Sequence, residues 1–112
     1  MKVVRGNLVL LPYPFSNLSG VKVRPALIVS GNKFNSKSKD IVMVPLTSVI
    51  RDGNFSVVIK DENLSSGKLI RKSEIRCDKI FCASRGLVKK VIGKLEEKIF
   101  NEVIREIGKI FD

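Results

Sequence analysis

Residues 20–30 read GVKVRPALIVS, and this stretch decides how the middle of the chain folds. Ala26 to Ser30 form a nearly continuous apolar run, which is typical of a short strand buried on both faces. The run opens on Arg24 and Pro25. Proline cannot donate to a sheet ladder, so it belongs at the first residue of a strand or on an edge, and it favours extended geometry in the residue before it. We therefore expect Arg24 to be held extended at the mouth of a buried strand.

Similar short apolar segments, separated by turn residues, lie on both sides of this stretch. Residues 50–54 (IRDGN) contain an Asp-Gly pair that is typical of a hairpin turn, and residues 61–68 (DENLSSGK) read as another turn. Residues 32–39 (NKFNSKSK) read as a basic, polar connection. The predicted strands are residues 6–14, 24–31, 40–48, 54–60 and 87–93, with two more within residues 69–84.

The last segment of the chain changes its apolar period from two to about four. Such spacing gives a wide apolar stripe on an amphipathic helix, and the stripe is expected to pack on the core. Short strands followed by one packed helix predict a mainly β fold with a C-terminal helix (α+β), in the form of a small antiparallel barrel. With 112 residues, we expect one domain over residues 1–112. The stripe consists of Leu95, Ile99, Val103, Ile107 and Phe111, joined by Phe100, Ile104 and Ile110.

The chain has a formal net charge of +10, and this charge is unevenly distributed. Residues 1–60 contain nine basic and two acidic residues, and residues 61–94 contain nine and four. Residues 95–112 contain three basic and five acidic residues, so the predicted helix is acidic and the barrel carries +12. A basic excess of this kind favours nucleic acid or another polyanion as the partner, although a basic protein without such a partner is the simpler alternative.

Several classes of site and location are disfavoured by the residues that are missing. The chain has no histidine, which removes the commonest metal ligand and the usual general base near neutral pH. We expect no metal site and no cofactor. No apolar run is long enough to span a membrane, and the N-terminus reads as a first strand rather than a signal peptide. We expect a cytoplasmic protein with no membrane partner.

The two cysteines, Cys77 and Cys82, have a spacing that matches neither a zinc knuckle nor a redox pair. We predict that both are reduced, buried thiols. They lie in residues 69–84, whose predicted inward positions are Ile70, Ile75, Cys77 and Ile80.

Two places in the sequence can carry phosphate chemistry without histidine. Arg24 offers a planar fork of donors that suits phosphate oxygens, and Thr47 and Ser48 end the strand segment VPLTS (residues 44–48) with hydroxyl groups. Taken singly, each is as well explained by a surface arginine or by a hydroxyl that satisfies a turn. Tyr13 and Phe15 flank Pro14 and either stack on unpaired bases or cover an end of the barrel.

The order of several motifs resembles the MazF/PemK family of toxin endoribonucleases. The segments are residues 6–30 (GNLVLLPYPFSNLSGVKVRPALIVS), residues 44–48 (VPLTS) and residues 73–95 (SEIRCDKIFCASRGLVKKVIGKL). The resemblance covers nearly the whole chain, with Asn7 in place of the usual acid after Gly6.

The resemblance implies an SH3-like barrel, a homodimer, and the role of the toxin in a type II toxin–antitoxin system. It also implies metal-independent, sequence-selective cleavage of single-stranded mRNA by attack of the 2′-OH, which leaves a 2′,3′-cyclic phosphate and a 5′-OH. By this resemblance Arg24 and Thr47 are catalytic, and Ser48 and Ser19 bind substrate. Lys22, Tyr13 and Phe15 are further candidates for substrate binding. Because arginine stays protonated in proteins, we assign Arg24 to stabilising charge on the phosphorane rather than to proton abstraction.

Two other functions and one further partner follow from the same residues. A gyrase-poison-like toxin on the same barrel would act through its C-terminal helix, whose end, EIGKIFD, shows no distinctive exposed apolar tip. A non-catalytic RNA-binding module is compatible with the charge alone. The charge of the barrel also predicts a cognate antitoxin with an acidic, disordered segment that folds on binding across Arg24 and residues 12–20.

Overall fold

The computed structural model describes residues 2–13 and 22–112. In these two ranges the chain forms eight strands and two α-helices, with 3₁₀ turns at Asp61–Asn63 and Arg85–Leu87. The strands are β1 (Asn7–Tyr13), β2 (Lys22–Ile28), β3 (Asp40–Thr47), β4 (Ser56–Ile59), β5 (Leu64–Gly67), β6 (Ser73–Arg76), β7 (Phe81–Ser84) and β8 (Lys90–Leu95). The helices are α1 (Asn32–Lys37) and α2 (Glu97–Lys109).

All strand pairs are antiparallel, and the strands form one curled sheet in the order β4-β6-β3-β2-β1-β8-β5, with β7 paired to β3. Strand β3 is the centre of this arrangement because it changes partners along its length. Residues 40–43 pair with β7, residues 43–45 with β2, and residues 46–47 with β6. The structure therefore confirms the predicted mainly β fold, a small SH3-like antiparallel barrel with a C-terminal helix.

The core lies on both faces of the central strands. Leu27 packs in one cluster, and its neighbours Ala26 and Ile28 pack in the other, so all three side chains are fully buried. This confirms the burial on both faces that the apolar run predicted. The first core cluster, to which α2 contributes, is Leu8, Leu27, Val44, Leu46, Ile59, Leu69, Ile75, Cys77, Leu95, Phe100 and Val103, and the second is Val3, Val9, Leu11, Ala26, Ile28, Ile41, Met43 and Val88.

The predicted start of the second strand is wrong by two residues. Strand β2 begins at Lys22, so Arg24 and Pro25 lie inside it, opposite Leu11 and Leu10 of β1. The register of β2 with β3 begins one residue later, at Ala26. Pro25 therefore stands before that pairing starts, where its missing N–H removes no bond to β3.

Three predicted connections are also wrong. Residues 50–54 do not close a hairpin, because β3 and β4 both pair with β6 rather than with each other. Asp52 does adopt a left-handed conformation (φ 50°), so the turn chemistry is present but it links strands that are not neighbours. Residues 61–68 contain β5 besides a turn, and residues 32–39 contain α1.

Several predicted buried positions are exposed. Ile75 and Cys77 are buried as expected, but Ile70 and Ile80 are 88% and 38% exposed, because they lie in connections beside β6 and β7 rather than within strands. Cys82 is exposed, which contradicts the prediction of two buried thiols. Burial raises the pKa of the Cys77 thiol to about 12, with smaller contributions from Glu106 and Asp78.

The C-terminal helix covers the first core cluster with only part of its predicted stripe. Phe100 and Val103 are buried, whereas Leu95 belongs to β8 and the helix begins at Glu97. The predicted lack of an exposed apolar tip is wrong, because Phe111 is 75% exposed. Ile104 and Ile110 are exposed as well. Within the described residues, no helix is both long and apolar enough to cross a membrane.

We predict that Gly67→Ala destabilises the fold by more than about 1–2 kcal/mol, the cost of a left-handed conformation for a residue with a Cβ. Gly67 has φ +81°, and a Cβ there would overlap the backbone of Ile92 and Gly93 in β8. Urea unfolding measures the loss. Gly53→Ala is the matched control, since no described atom beyond the glycine and its two chain neighbours lies within 4 Å of its Cβ position. Equal unfolding midpoints for the two variants would contradict the close approach of β5 and β8.

Candidate active site

The register of β2 and β3 brings Arg24 and Thr47 to the same end of the sheet. Ala26 pairs with Pro45 and Leu27 with Val44, so continuing the antiparallel register by two residues sets Arg24 opposite Thr47. Residues two apart in a strand share a face, and directly opposite residues share it as well. Arg24 is exposed and Thr47 is half-buried, so both side chains lie where the core ends.

Two clefts meet at these two residues. The larger one has a volume of about 620 Å³, and we call it the strand-end cleft. The smaller one has a volume of about 340 Å³, and we call it the arginine cleft. Arg24 and Thr47 line both clefts.

The strand-end cleft combines apolar walls with positive charge. Leu10, Pro25, Leu46, Leu69 and Ile92 supply apolar surface, and the exposed side chains of Val49 and Ile70 lie among its lining. Such a cleft can accept flat apolar faces such as bases on its walls while its cations bind anionic groups. The cations are Arg24, Lys68, Arg71 and Lys90, and Ser48 and Ser73 add hydroxyl groups.

The arginine cleft is lined by four cations, as many as the strand-end cleft, although its volume is smaller. Besides Arg24 it is lined by Arg51, Arg76 and Lys79. Arg76 donates from Nε and Nη2 to the two carboxylate oxygens of Asp78, at 3.0 and 2.9 Å. This hydrogen bonding lowers the pKa of Asp78, so the carboxylate offsets the charge of Arg76 and leaves a positive excess in the cleft.

The Thr47 hydroxyl is held by the turn that follows it. Its Oγ1 accepts a hydrogen bond from the Val49 N–H at 3.1 Å. The hydroxyl thus satisfies a turn, as one of the alternatives supposed, but as an acceptor it keeps its own proton for donation to a ligand oxygen. Ser48 is exposed next to it in the wall of the strand-end cleft.

Glu74 is a buried residue next to Thr47 that the sequence analysis missed. It pairs with Thr47 between β6 and β3 and is only 1% exposed. Its Oε2 accepts hydrogen bonds from the Asp52 N–H at 2.9 Å and from the Ser56 hydroxyl at 3.2 Å. The carboxylate therefore anchors the connection that carries Arg51. This role could not be predicted from the sequence, because it depends on the pairing of both β3 and β4 with β6.

The remaining predicted site residues are placed less closely or fall outside the description. Lys22 is exposed on the same side of β2 as Arg24, but it is not among the described residues that line either cleft. The backbone of Tyr13 ends β1, and its side chain lies outside the described residues, as do Phe15 and Ser19. Over residues 2–13 and 22–112, no three His, Cys, Asp or Glu side chains are grouped so that they could hold a metal ion.

Comparison with known proteins identifies a family. Residues 4–111 match the family described as PemK-like, MazF-like toxin of type II toxin–antitoxin system. No curated protein matches the chain.

Solved structures with low sequence identity share the fold. An endoribonuclease in complex with its cognate antitoxin from a Mycobacterial species has a TM-score of 0.80 at 20% identity, over 98% of this chain and 95% of that one. The Mycobacterium tuberculosis toxin MazF-mt6 has a TM-score of 0.77 at 21% identity, over 95% and 96%. A chain of the MazE-MazF (Form-III) structure from Deinococcus radiodurans has a TM-score of 0.76 at 20% identity, over 97% and 95%.

We predict that Glu74→Leu destabilises the protein by about 1–3 kcal/mol, because it removes the charged acceptor of the part-buried hydrogen bond from the Asp52 N–H. Glu74→Gln should cost less, since its amide oxygen still accepts this bond. Urea unfolding gives the free energies, and hydrogen exchange at Asp52 reports the freed connection. Glu62→Leu, at an exposed position, is the control. Protection of the Asp52 amide in Glu74→Leu at the wild-type level would show that Glu74 does not anchor the connection.

Proposed function

The chain belongs to the PemK-like, MazF-like toxin family of type II toxin–antitoxin systems, and we propose that it acts as an endoribonuclease on single-stranded RNA. The observation that carries the proposal is the position of Arg24 and Thr47 at the junction of two cationic clefts. A guanidinium and a hydroxyl side by side are donors suited to one phosphate. A strand of RNA lying through both clefts would present a phosphate to them.

The charge around the junction supports a polyanionic substrate. Seven cationic side chains line the two clefts, and the carboxylate of Asp78 is bound to one of them. Phosphate contacts of this kind supply affinity and register, whereas contacts with bases supply selectivity. We assign the bases to the apolar walls of the strand-end cleft and the selectivity for an mRNA sequence to the residues there. The seven cations are Arg24, Arg51, Lys68, Arg71, Arg76, Lys79 and Lys90.

The proposed reaction is an internal transfer at phosphorus. The 2′-oxygen forms a bond to the adjacent phosphorus, the bond from phosphorus to the 5′-oxygen breaks, and the products are a 2′,3′-cyclic phosphate and a 5′-OH. The proton lost by the 2′-OH balances the one gained by the leaving oxygen, so no water is consumed. In the phosphorane the non-bridging oxygens gain negative charge, which Arg24 stabilises by charge and Thr47 by its free hydroxyl proton.

The same proposal assigns the remaining predicted residues to substrate binding. Ser48 donates a hydrogen bond to the RNA from the wall of the strand-end cleft, and Lys22 attracts the RNA backbone from its position beside Arg24 on β2. Tyr13, Phe15 and Ser19 stay substrate-binding predictions from sequence. We propose that no metal ion takes part, because guanidinium groups supply the positive charge that a metal ion provides in other nucleases.

We also propose a cytoplasmic homodimer that is neutralised by a cognate antitoxin. The barrel carries +12 outside residues 95–112, so an acidic, disordered segment of the antitoxin would be attracted to it. Such a segment would fold across Arg24 and residues 12–20 and would compete with RNA for this surface.

One observation favours a second candidate function. The apolar side chains of Phe111 and Ile110 are exposed at the end of α2, where a gyrase-poison-like toxin would present its contact surface. That function does not need the Arg24–Thr47 pair. A non-catalytic RNA-binding module would bind RNA without cleaving it, so it does not need a catalytic pair either. Cleavage that depends on Arg24 therefore separates the endoribonuclease from both alternatives.

We predict that Arg24→Ala lowers the rate of RNA cleavage by about 10²–10³-fold, the usual cost of losing one donor to a transition state. The fold should be intact, since the side chain is exposed. Cleavage of a labelled RNA under single-turnover conditions measures the rate, and circular dichroism checks the fold. Arg105→Ala, which removes the same charge from an exposed position on α2, is the control. A folded Arg24→Ala protein that cuts RNA at the control rate would remove Arg24 from the site.

A further inference from the structure

A third cleft lies at the end of β3 that is farthest from Arg24 and Thr47. It has a volume of about 440 Å³, and we call it the distal cleft. Its described lining contains three cations and three hydroxyl groups, and neither an acidic nor a hydrophobic side chain. The lining residues are Ser36, Lys37, Ser38, Lys39, Ser84, Arg85 and Gly86.

The pairing of β3 with β7 fixes the two walls of the distal cleft. Asp40 pairs with Ser84, so the end of β7 lies beside the segment that leads from α1 into β3. Two hydrogen bonds join these walls: the Arg85 N–H donates to the Lys39 carbonyl at 2.8 Å, and Arg85 Nη2 donates to the Ser38 carbonyl at 3.0 Å. The cleft is therefore formed before any ligand arrives.

Donors in the distal cleft are available to an anion. Across the described part of the chain, the Arg85 guanidinium makes one hydrogen bond, to Ser38, and its other N–H groups are free to bind. Ser84 Oγ accepts from the Gly86 N–H at 3.3 Å and keeps its own proton for donation. Lys37 and Lys39 are both exposed. The neighbouring acid, Asp40, contributes one negative charge against the three positive charges of the lining, so the cleft stays positively charged.

We propose that the distal cleft binds backbone phosphates of the RNA strand outside the cleavage site, an inference that rests on the proposed endoribonuclease function. Phosphates need only cations and hydroxyl donors, which make up this lining. A protein segment that binds tightly usually buries apolar or aromatic anchors, and the described lining offers no hydrophobic surface to receive them. The chemistry therefore favours a nucleic acid over an acidic peptide.

The path between the two sites sets the length of RNA that can reach both. Strand β3 has eight residues, and at about 3.3 Å per residue its ends lie about 23 Å apart. Strand β7 runs beside it, with Lys79 of the arginine cleft just before its start and Arg85 just after its end. At about 3.4 Å per stacked nucleotide, a strand needs about seven nucleotides to span this distance. A substrate with two nucleotides on each side of the cut is too short.

The test compares long and short RNA on a protein without the distal cations. The variant is Lys37→Gln/Lys39→Gln/Arg85→Gln, and the control is Lys2→Gln/Lys98→Gln/Arg105→Gln, which removes three exposed cations elsewhere. The probes are 2′-O-methyl RNAs of about four and about twenty nucleotides, which lack the attacking hydroxyl. Fluorescence anisotropy at several salt concentrations gives the dissociation constants, and thermal unfolding checks both folds.

We expect the distal variant to bind the long RNA about tenfold more weakly than the control does, while both bind the short RNA equally. Its salt dependence for the long RNA should fall by about 0.7 for each phosphate that the variant no longer neutralises. Equal affinity of variant and control for the long RNA would overturn the proposal. A loss of affinity for the short RNA as large as the loss for the long RNA would overturn it as well. Loss of binding to a polyglutamate peptide alone would identify an acidic-protein site instead. Since the probes are not cleaved, these results are independent of whether Arg24 catalyses cleavage, which short cleavable RNA reports separately.

Discussion

The pairing of β2 with β3 is the constraint on which the candidate site depends. Ala26 and Ile28 of β2 are buried in one core cluster and Leu27 in the other, so a slip of one residue would exchange the side chains of two packed faces. Burial thus fixes the register, and this register, continued by two residues beyond Ala26 and Pro45, sets Arg24 opposite Thr47. The proposed catalytic pair needs no contact of its own to hold it in place, because the core next to it fixes the positions of both strands. This explains how two polar residues separated by more than twenty positions in the sequence line the same two clefts.

Sequence patterns predicted the parts of this protein whose structure is decided by burial. The apolar runs around Leu27 and Val44 gave the two central strands, and the four-residue period around Val103 gave α2. The motifs at Arg24 and Thr47 indicated the two residues that the register brings together. Patterns failed where long-range pairing decides the structure. Residues 50–54 have the chemistry of a hairpin turn, but β6 pairs with both flanking strands, and no local signal reports this. Arg51, Lys79 and Glu74 were missed for the same reason, since each is brought to the site by the pairing of β6 with β3 and β4.

Acidic and basic residues are separated in this protein, which contains no histidine. Three acidic residues of the last segment, Glu97, Glu102 and Glu106, lie on α2, while guanidinium and ammonium groups surround Arg24 and Thr47. A single long polyanion could contact the strand-end, arginine and distal clefts together, with β3 and β7 as the common support. Stabilisation of a phosphorane by fixed cations requires no group that titrates near neutral pH, which suits a chain whose described part holds neither a metal cluster nor an imidazole.

The proposed activity is cleavage of RNA by internal transfer, with fixed cations and a hydroxyl as the catalytic groups. The most direct measurement is incubation of the pure protein with a long single-stranded RNA in excess EDTA, followed by mapping of the cut positions and analysis of the new ends. We predict cleavage at a limited set of positions, with a 2′,3′-cyclic phosphate on one fragment and a 5′-OH on the other. Intact RNA in EDTA that is cut only after Mg²⁺ is added, or fragments with 5′-phosphates, would rule out metal-independent internal transfer.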